Sequence, residues 1–141
     1  MKAGASKKKI LLIDGEAFST LEEFAEHFSK VVLEGHWWWN GNLDAFNDIL
    51  RGGFGTPGEG FILRWKNAEV SRRRLGYSET VRQLQMRLER CHPTNKARVS
   101  RELEDAKHQT GPTVFDWLVD IIKDHGPGGS EKEDGIELVL E

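Results

Sequence analysis

The first apolar run of the chain, in "KKKILLID", is four branched residues long and closes on Asp14-Gly15, which predicts a buried strand over residues 8–14. Ser19 and Thr20 each have a glutamate three positions on, the capping-box spacing. Behind them Leu21, Phe24, Phe28, Val31 and Val32 share one helical stripe. Asn40 or Asn42 can cap the next helix, whose apolar face is Leu43, Phe46, Ile49 and Leu50. The glycine stretch "GGFGTPGEG" ends it, and "FILRW", residues 61–65, is a second continuous apolar run and a second buried strand. "NAEVSRRRLG" reads as a short helix, and Val81, Leu84, Leu88 and Cys91 keep helical spacing through residues 78–91. After the break at "HPTN" a weaker helix runs to about Lys107. "TGPT" stops the chain again, and Val114, Phe115, Leu118, Ile121 and Ile122 form the face of a last helix. "GPGGSEKEDG" is a polar loop, and "IELVLE", residues 136–141, alternates like a strand.

Helices between successive strands require crossovers, so this order predicts one α/β domain over residues 1–141 with a small, three-stranded parallel sheet. The alternation in "IELVLE" places that strand at an edge, whereas the two continuous runs predict strands covered on both faces. Gly53, Gly55 and Gly58 spell GxGxxG, but a helix precedes them and a strand comes after, the reverse of a nucleotide-binding turn. They read as a turn.

With 30% charged and 38% hydrophobic residues, the 141-residue chain has the composition of a soluble globular domain with a sizeable core. The lone Cys91 gives no disulfide framework and predicts a reducing, cytoplasmic setting. The apolar run after the lysines is too short for a signal peptide or a membrane span. The net charge of −3 conceals three blocks. Residues 14–50 carry −7, residues 64–107 carry +6 and residues 113–141 carry −6. If the acidic blocks converge in the fold, they make an anionic face that steers a basic partner.

The chemistry concentrates in "HWWWNGNLDAFNDIL", residues 36–50. Adjacent side chains point apart in helix and strand alike, so Trp37, Trp38 and Trp39 cannot all enter one core. One or two should be core residues and one should lie at the rim of a site; Trp65 and Trp117 are expected in the core. Asp44 and Asp48 fall one helical turn apart, where like charges repel, and Asp48 approaches the helix end that disfavours an anion. A cationic partner would resolve both difficulties. Two carboxylates on one helix approach a substrate from one side and cannot flank a glycosidic bond, so a glycosidase is a weak reading. The five histidines are scattered and none forms a zinc-type spacing with Cys91. No enzyme activity, metal or cofactor is expected.

"WWNGNLDAFNDIL" resembles the motif of the barstar family, in which two tyrosines, a glycine and a variable residue precede Asn-Leu-Asp-Ala and a short helix with a further aspartate. On that match Trp38 and Trp39 take the tyrosine positions, Asn42 to Ala45 are identical, and Asp48 falls on the principal inhibitory aspartate. "ILLIDGE" is similar to the family's first strand and turn, and "FILRWKNAEVSRRRLG" to its second strand and the segment after it. The resemblance covers residues 8–76 and 113–141, leaving 77–112 as a helical insertion. It implies a barstar-like fold and a proteinaceous ribonuclease inhibitor, of which an immunity protein is one form, whose acidic helix plugs the basic active site of an extracellular-type ribonuclease or ribonuclease toxin. The implied partner-binding residues are Trp38, Trp39, Asn42, Asp44, Asp48 and, on the last helix, Asp120, with Asp124 one turn further. The free protein is expected to be a monomer without membrane contact. Tryptophans for tyrosines, Asn40 for the motif's glycine and Asn47 for the family's common tryptophan imply a different partner or altered specificity.

Two other classes stay open. One is a barstar-fold interaction module without ribonuclease inhibition, using the insertion. The other is electrostatic RNA binding by the Arg-rich segment 72–101, including Arg72 to Arg74, Arg82, Arg87 and Arg90. The insertion holds Tyr77 as its only aromatic residue, so stacking platforms for single strands are missing and nucleic acid is the less favoured partner.

Overall fold

Three short strands joined by long helical connections have the crossovers that parallel pairing needs, and they pair in parallel. The computed structural model describes residues 8–141. Its order is β1 (Lys9–Asp14), α1 (Leu21–Val31), α2 (Leu43–Arg51), β2 (Phe61–Lys66), α3 (Ala68–Arg74), α4 (Tyr77–Arg90), α5 (Lys96–Lys107), α6 (Val114–Asp124) and β3 (Ile136–Leu140). The sheet is parallel throughout with spatial order β1-β2-β3, so Leu11, Leu63 and Leu138 form one row across it and Ile13, Trp65 and Leu140 the next. This is the expected α/β architecture, with β3 at an edge.

Both crossovers step across the sheet in the same direction, and right-handed connections of that kind lie on one face. Leu11, Ile13, Phe61, Leu63, Trp65 and Ile136 are accordingly buried under the helices. The opposite face is open: Ile10 is 53% and Leu12 46% exposed, and Val139 is exposed as well. The continuous apolar run of β1 therefore does not mean burial on both faces. β1 is itself an edge strand, and among the described residues no helix covers its outer side.

Helices α1, α2 and α6 are each capped by a side chain at the N-terminus and then held by burial. At α1 the Thr20 hydroxyl accepts from the Glu23 N–H at 3.1 Å, while the Glu23 carboxylate accepts from the Ser19 N–H at 2.7 Å. Both residues with capping-box spacing thus take part. Phe24 and Phe28 carry α1 onto the core, where Phe24 stacks on the fully buried Trp65 with ring centroids 5.3 Å apart. Thr113 and Asp116 form a complete capping box for α6, which buries Val114, Phe115, Leu118 and Ile122 in the same core. Trp117, expected in the core, is only half-buried, because it lies between the main core and the α4–α5 hairpin. The glycine stretch ends at Gly60, whose φ of 89° brings the backbone so near Gly135 that a Cβ would lie 2.4 Å from that carbonyl oxygen.

Helices α4 and α5 pack on each other through a small cluster of their own, Leu84, Val99, Leu103 and Ala106. The first turn of α4 nevertheless belongs to the body. The buried Glu79 carboxylate accepts from the Leu21 N–H at 2.8 Å, satisfying a donor that α1 leaves free, and also from Arg82 and Gln83. The Thr80 hydroxyl accepts from the Val114 N–H at 2.9 Å at the start of α6. These bonds tie the first turn of α4 to the body, and we propose about residues 84–110 as the separable part of the expected 77–112 excursion. Replacing residues 84–110 by a short Gly/Ser bridge should leave a cooperative thermal transition. Glu79→Ala in the full chain should cost about 1–3 kcal/mol in denaturant unfolding, the usual effect of orphaning a buried donor. A shortened chain that melts without cooperativity would make the hairpin part of the folding unit.

Candidate functional site

The turn that leads into α2 is set by one indole. The Trp39 backbone N–H donates to the Ser29 hydroxyl at 2.8 Å, and its indole N–H donates to the Asn42 carbonyl at 2.7 Å. Its ring stacks on Phe46 with centroids 4.4 Å apart and meets Phe24 and Phe28 edge-on. Trp39 is thus a core residue. It positions the site from beneath, and so it is set apart from the surface contacts among which the resemblance places it. Its neighbours point outward, Trp38 at 59% and Trp37 at 49% exposure, with Trp37 leaning edge-on against Phe54. One indole goes in and two stay out. Trp38 borders a shallow groove of about 550 Å³ with Glu22, Glu26, Lys30 and Asn40.

Both asparagines that could cap α2 contribute. The Asn42 side-chain oxygen accepts from the Ala45 N–H at 2.9 Å, and the Asn40 side-chain oxygen accepts from the Asn42 N–H at 3.0 Å. The helix buries Phe46, Ile49 and Leu50 and turns Asp44 and Asp48 to solvent. Among the described residues Asp44 has no salt-bridge partner. Asp48, 63% exposed, accepts from Arg51 at 2.6 Å, and the same guanidinium donates twice to Glu131, at 2.6 and 3.0 Å. The unfavourable charge near the helix end therefore already has a cation beside it.

Asn47 turns the other way, inward. Its side-chain oxygen lies 3.0 Å from Nε2 of the fully buried His125, whose Nδ1 lies 2.6 Å from Asp134. His125, Glu131 and Asp134 bring ligand-type atoms within 4.8 Å of one another. Both ring nitrogens already face hydrogen-bond partners, so the group works as a strut between α2 and the loop over residues 126–135. The two acidic blocks of the chain converge here. On α6, Asp120 is exposed, while the Asp124 carboxylate accepts from the Ser130 N–H at 3.0 Å and from its hydroxyl and closes the loop. Of the two candidates on this helix, Asp120 is the one free to meet a partner. Arg51, Glu131 and His125 are not among the candidates that the sequence offers. The Asp48-Arg51 spacing is visible there, but the contacts of Glu131 and His125 with α2 span 80 and 78 positions.

The model of the family described as "Barstar (barnase inhibitor)" matches residues 8–95. The chain belongs to the barstar family. The match takes in the whole of α2, the tryptophans before it and both aspartates, and it ends at residue 95, inside the segment that the resemblance set apart as an insertion. In this barstar-family chain α6 and β3 lie beyond the match, and their place in the architecture rests on their packing. No curated protein and no solved structure matches the chain significantly. No helix among the described residues is long and apolar enough to cross a membrane.

The ion pair with Arg51 holds the Glu131 carboxyl below the usual range, first through its hydrogen bond and then through the guanidinium charge. The Ser130 N–H, then its hydroxyl, does the same for Asp124. A carboxylate lowered on folding stabilises the native state above its unfolded value, about 4, and that contribution is lost as pH falls through the lowered native value. Carboxyl NMR titration should therefore find both residues titrating below their ordinary positions. In Arg51→Gln the Glu131 value should move back up while that of Asp124 stays nearly in place. Equal movement of the two would mean that the loop, and not the ion pair, sets both.

Proposed function

We propose that this barstar-family chain inhibits a basic ribonuclease by laying the outer face of α2 over its active site. The observation that carries this reading is the pairing of the family motif with a preset acidic surface. Asp44 and Asp48 stand exposed on the one helix whose opposite face is locked by the Trp39 stack and whose interior end is tied to His125. Carboxylates held in this way can take the places of RNA phosphates among the arginines, lysines and histidine of a ribonuclease cleft, with charge-assisted hydrogen bonds already oriented. Asp48 is the central contact, with Arg51 fixing its position from the side. Asp44 supports it, Trp38 covers the rim, Asn42 holds the first turn, and Asp120 extends the anionic surface across α6. The protein acts as a monomer in the cytoplasm of the producing cell, as an immunity protein against a ribonuclease toxin.

RNA binding by the arginine-rich segment has less support. Arg74 donates to the Glu16 carbonyl, Arg82 is bound by Glu79 and Glu22, and Arg72 lies over the Phe115 ring at 4.6 Å. These three guanidinia are spent on the fold, and beside the remaining arginines the segment offers only Tyr77 for stacking. An interaction module without inhibition would share the surface but not the effect on RNA cleavage.

Inhibition kinetics against barnase and a set of extracellular microbial ribonucleases test the reading. Asp48→Ala should weaken inhibition by about 3–5 kcal/mol, the usual loss when one partner of a buried pair is removed, and Asp44→Ala by less. Glu69→Ala on α3 should change nothing. In denaturant unfolding Asp48→Ala should shift the free protein by less than about 1 kcal/mol, because the pair is exposed and Arg51 keeps Glu131. Retained full inhibition by Asp48→Ala would remove α2 from the mechanism.

A further inference from the structure

Beside α2 the structure holds a groove of about 830 Å³ whose α4 and α5 residues the proposed mechanism leaves unused. Asp44 and the turn over residues 40–43 line it from α2, Met86, Arg87 and Arg90 from α4, and Arg98 from α5. We propose that the α4–α5 hairpin is a specificity element, and that this groove accepts a carboxylate-bearing surface loop of the partner ribonuclease, next to the basic cleft that receives the aspartates. The proposal rests on the inhibitor reading and names a feature of the partner which that reading does not require.

Charge complementarity carries it. Asp44 belongs to both surfaces, so a partner that buries Asp44 must lay its own surface across the mouth of the groove. What it meets on the far wall is positive and stays positive. Glu22, the other acidic residue lining the groove, is taken by Arg82 and Gln83. Arg87 lines the groove with its guanidinium over the Trp117 indole at 5.1 Å, and it has no salt-bridge partner among the described residues. Arg90 has no salt-bridge partner among the described residues, and the Arg98 contact with Glu102 is a long one of 3.5 Å between exposed side chains. A uniformly cationic partner would satisfy Asp44 and Asp48 and be repelled one step further along. A partner whose basic cleft carries an acidic lip satisfies both walls, since guanidinium forks match carboxylates in geometry as well as sign. Discrimination of this kind comes as much from the repulsion of wrong partners as from attraction of the right one.

The test uses catalytically inert barnase displayed on phage, with the surface positions around its cleft randomised. The library is panned against the native chain, against Asp48→Ala, and against a triple Arg87→Gln, Arg90→Gln, Arg98→Gln variant checked for fold by circular dichroism and thermal melting. Clones that require Asp48 should be enriched in Asp or Glu at a cluster of neighbouring positions and should bind the triple variant at least tenfold more weakly. The single Arg90→Gln, at an exposed position, carries the same comparison should the triple variant unfold. Clones that depend on Asp48 yet show no acidic enrichment, or that bind both proteins equally, overturn the proposal and leave the inhibitor reading standing. A library without any Asp48-dependent clone overturns the inhibitor reading for barnase-type ribonucleases and the proposal with it.

Discussion

The acidic surface depends on the burial of Trp39. An indole with its backbone N–H on Ser29, its ring N–H on the Asn42 carbonyl and its face on Phe46 joins α1, the turn and α2 in one contact set. Because neighbouring side chains point apart, fixing Trp39 inward forces Trp38 outward. The same anchor sets where α2 begins, since the carbonyl that the indole engages belongs to the residue that caps the helix. Position and direction of Asp44 are determined from there.

The far end of α2 is secured differently, by polar groups. Asn47 reaches the buried His125, and Arg51 joins Asp48 to Glu131. A helix clamped by aromatic packing at one end and by hydrogen bonds at the other presents its charges with little freedom left to lose on association. The arrangement also shows how the chain tolerates an anion in the last turn of a helix. Arg51, at the C-terminal residue, answers the helix dipole and the aspartate together. Asn47 is polar where the family commonly has tryptophan, and its inward bond to His125 accounts for the choice: a residue there serves the joint with the C-terminal loop.

Much of this is legible in the sequence. Periodicity and chain breaks locate the nine main elements because every helix but the short, arginine-rich α3 carries an apolar stripe and each strand is bounded by glycine or a polar loop. The motif locates α2 and both aspartates. The burial of β1 is not legible in the same way, since a continuous apolar run says that two faces are apolar but not that two faces are covered; only the sequential strand order decides that. The inner limit of the hairpin is hidden for a related reason. Glu79 looks like any surface glutamate in a charged helix, and nothing near it in sequence announces that it will satisfy Leu21, 58 positions away. Side chains whose partners are distant in sequence leave no periodic trace.

The hairpin also bears on how the sheet can be assembled. β3 can join β2 only after the chain over residues 67–135 has been brought round, and ordering so long a connection is the slow kind of step. Helices α4 and α5 meet mainly through residues close in sequence, Leu84, Val99, Leu103 and Ala106, with Trp117 of α6 added at the edge. Once they are closed, the unstructured length that β3 must traverse is roughly halved, and each halving lowers the closure cost by about 0.6 kcal/mol. A segment that lengthens the protein thereby adds little to the search for its last strand.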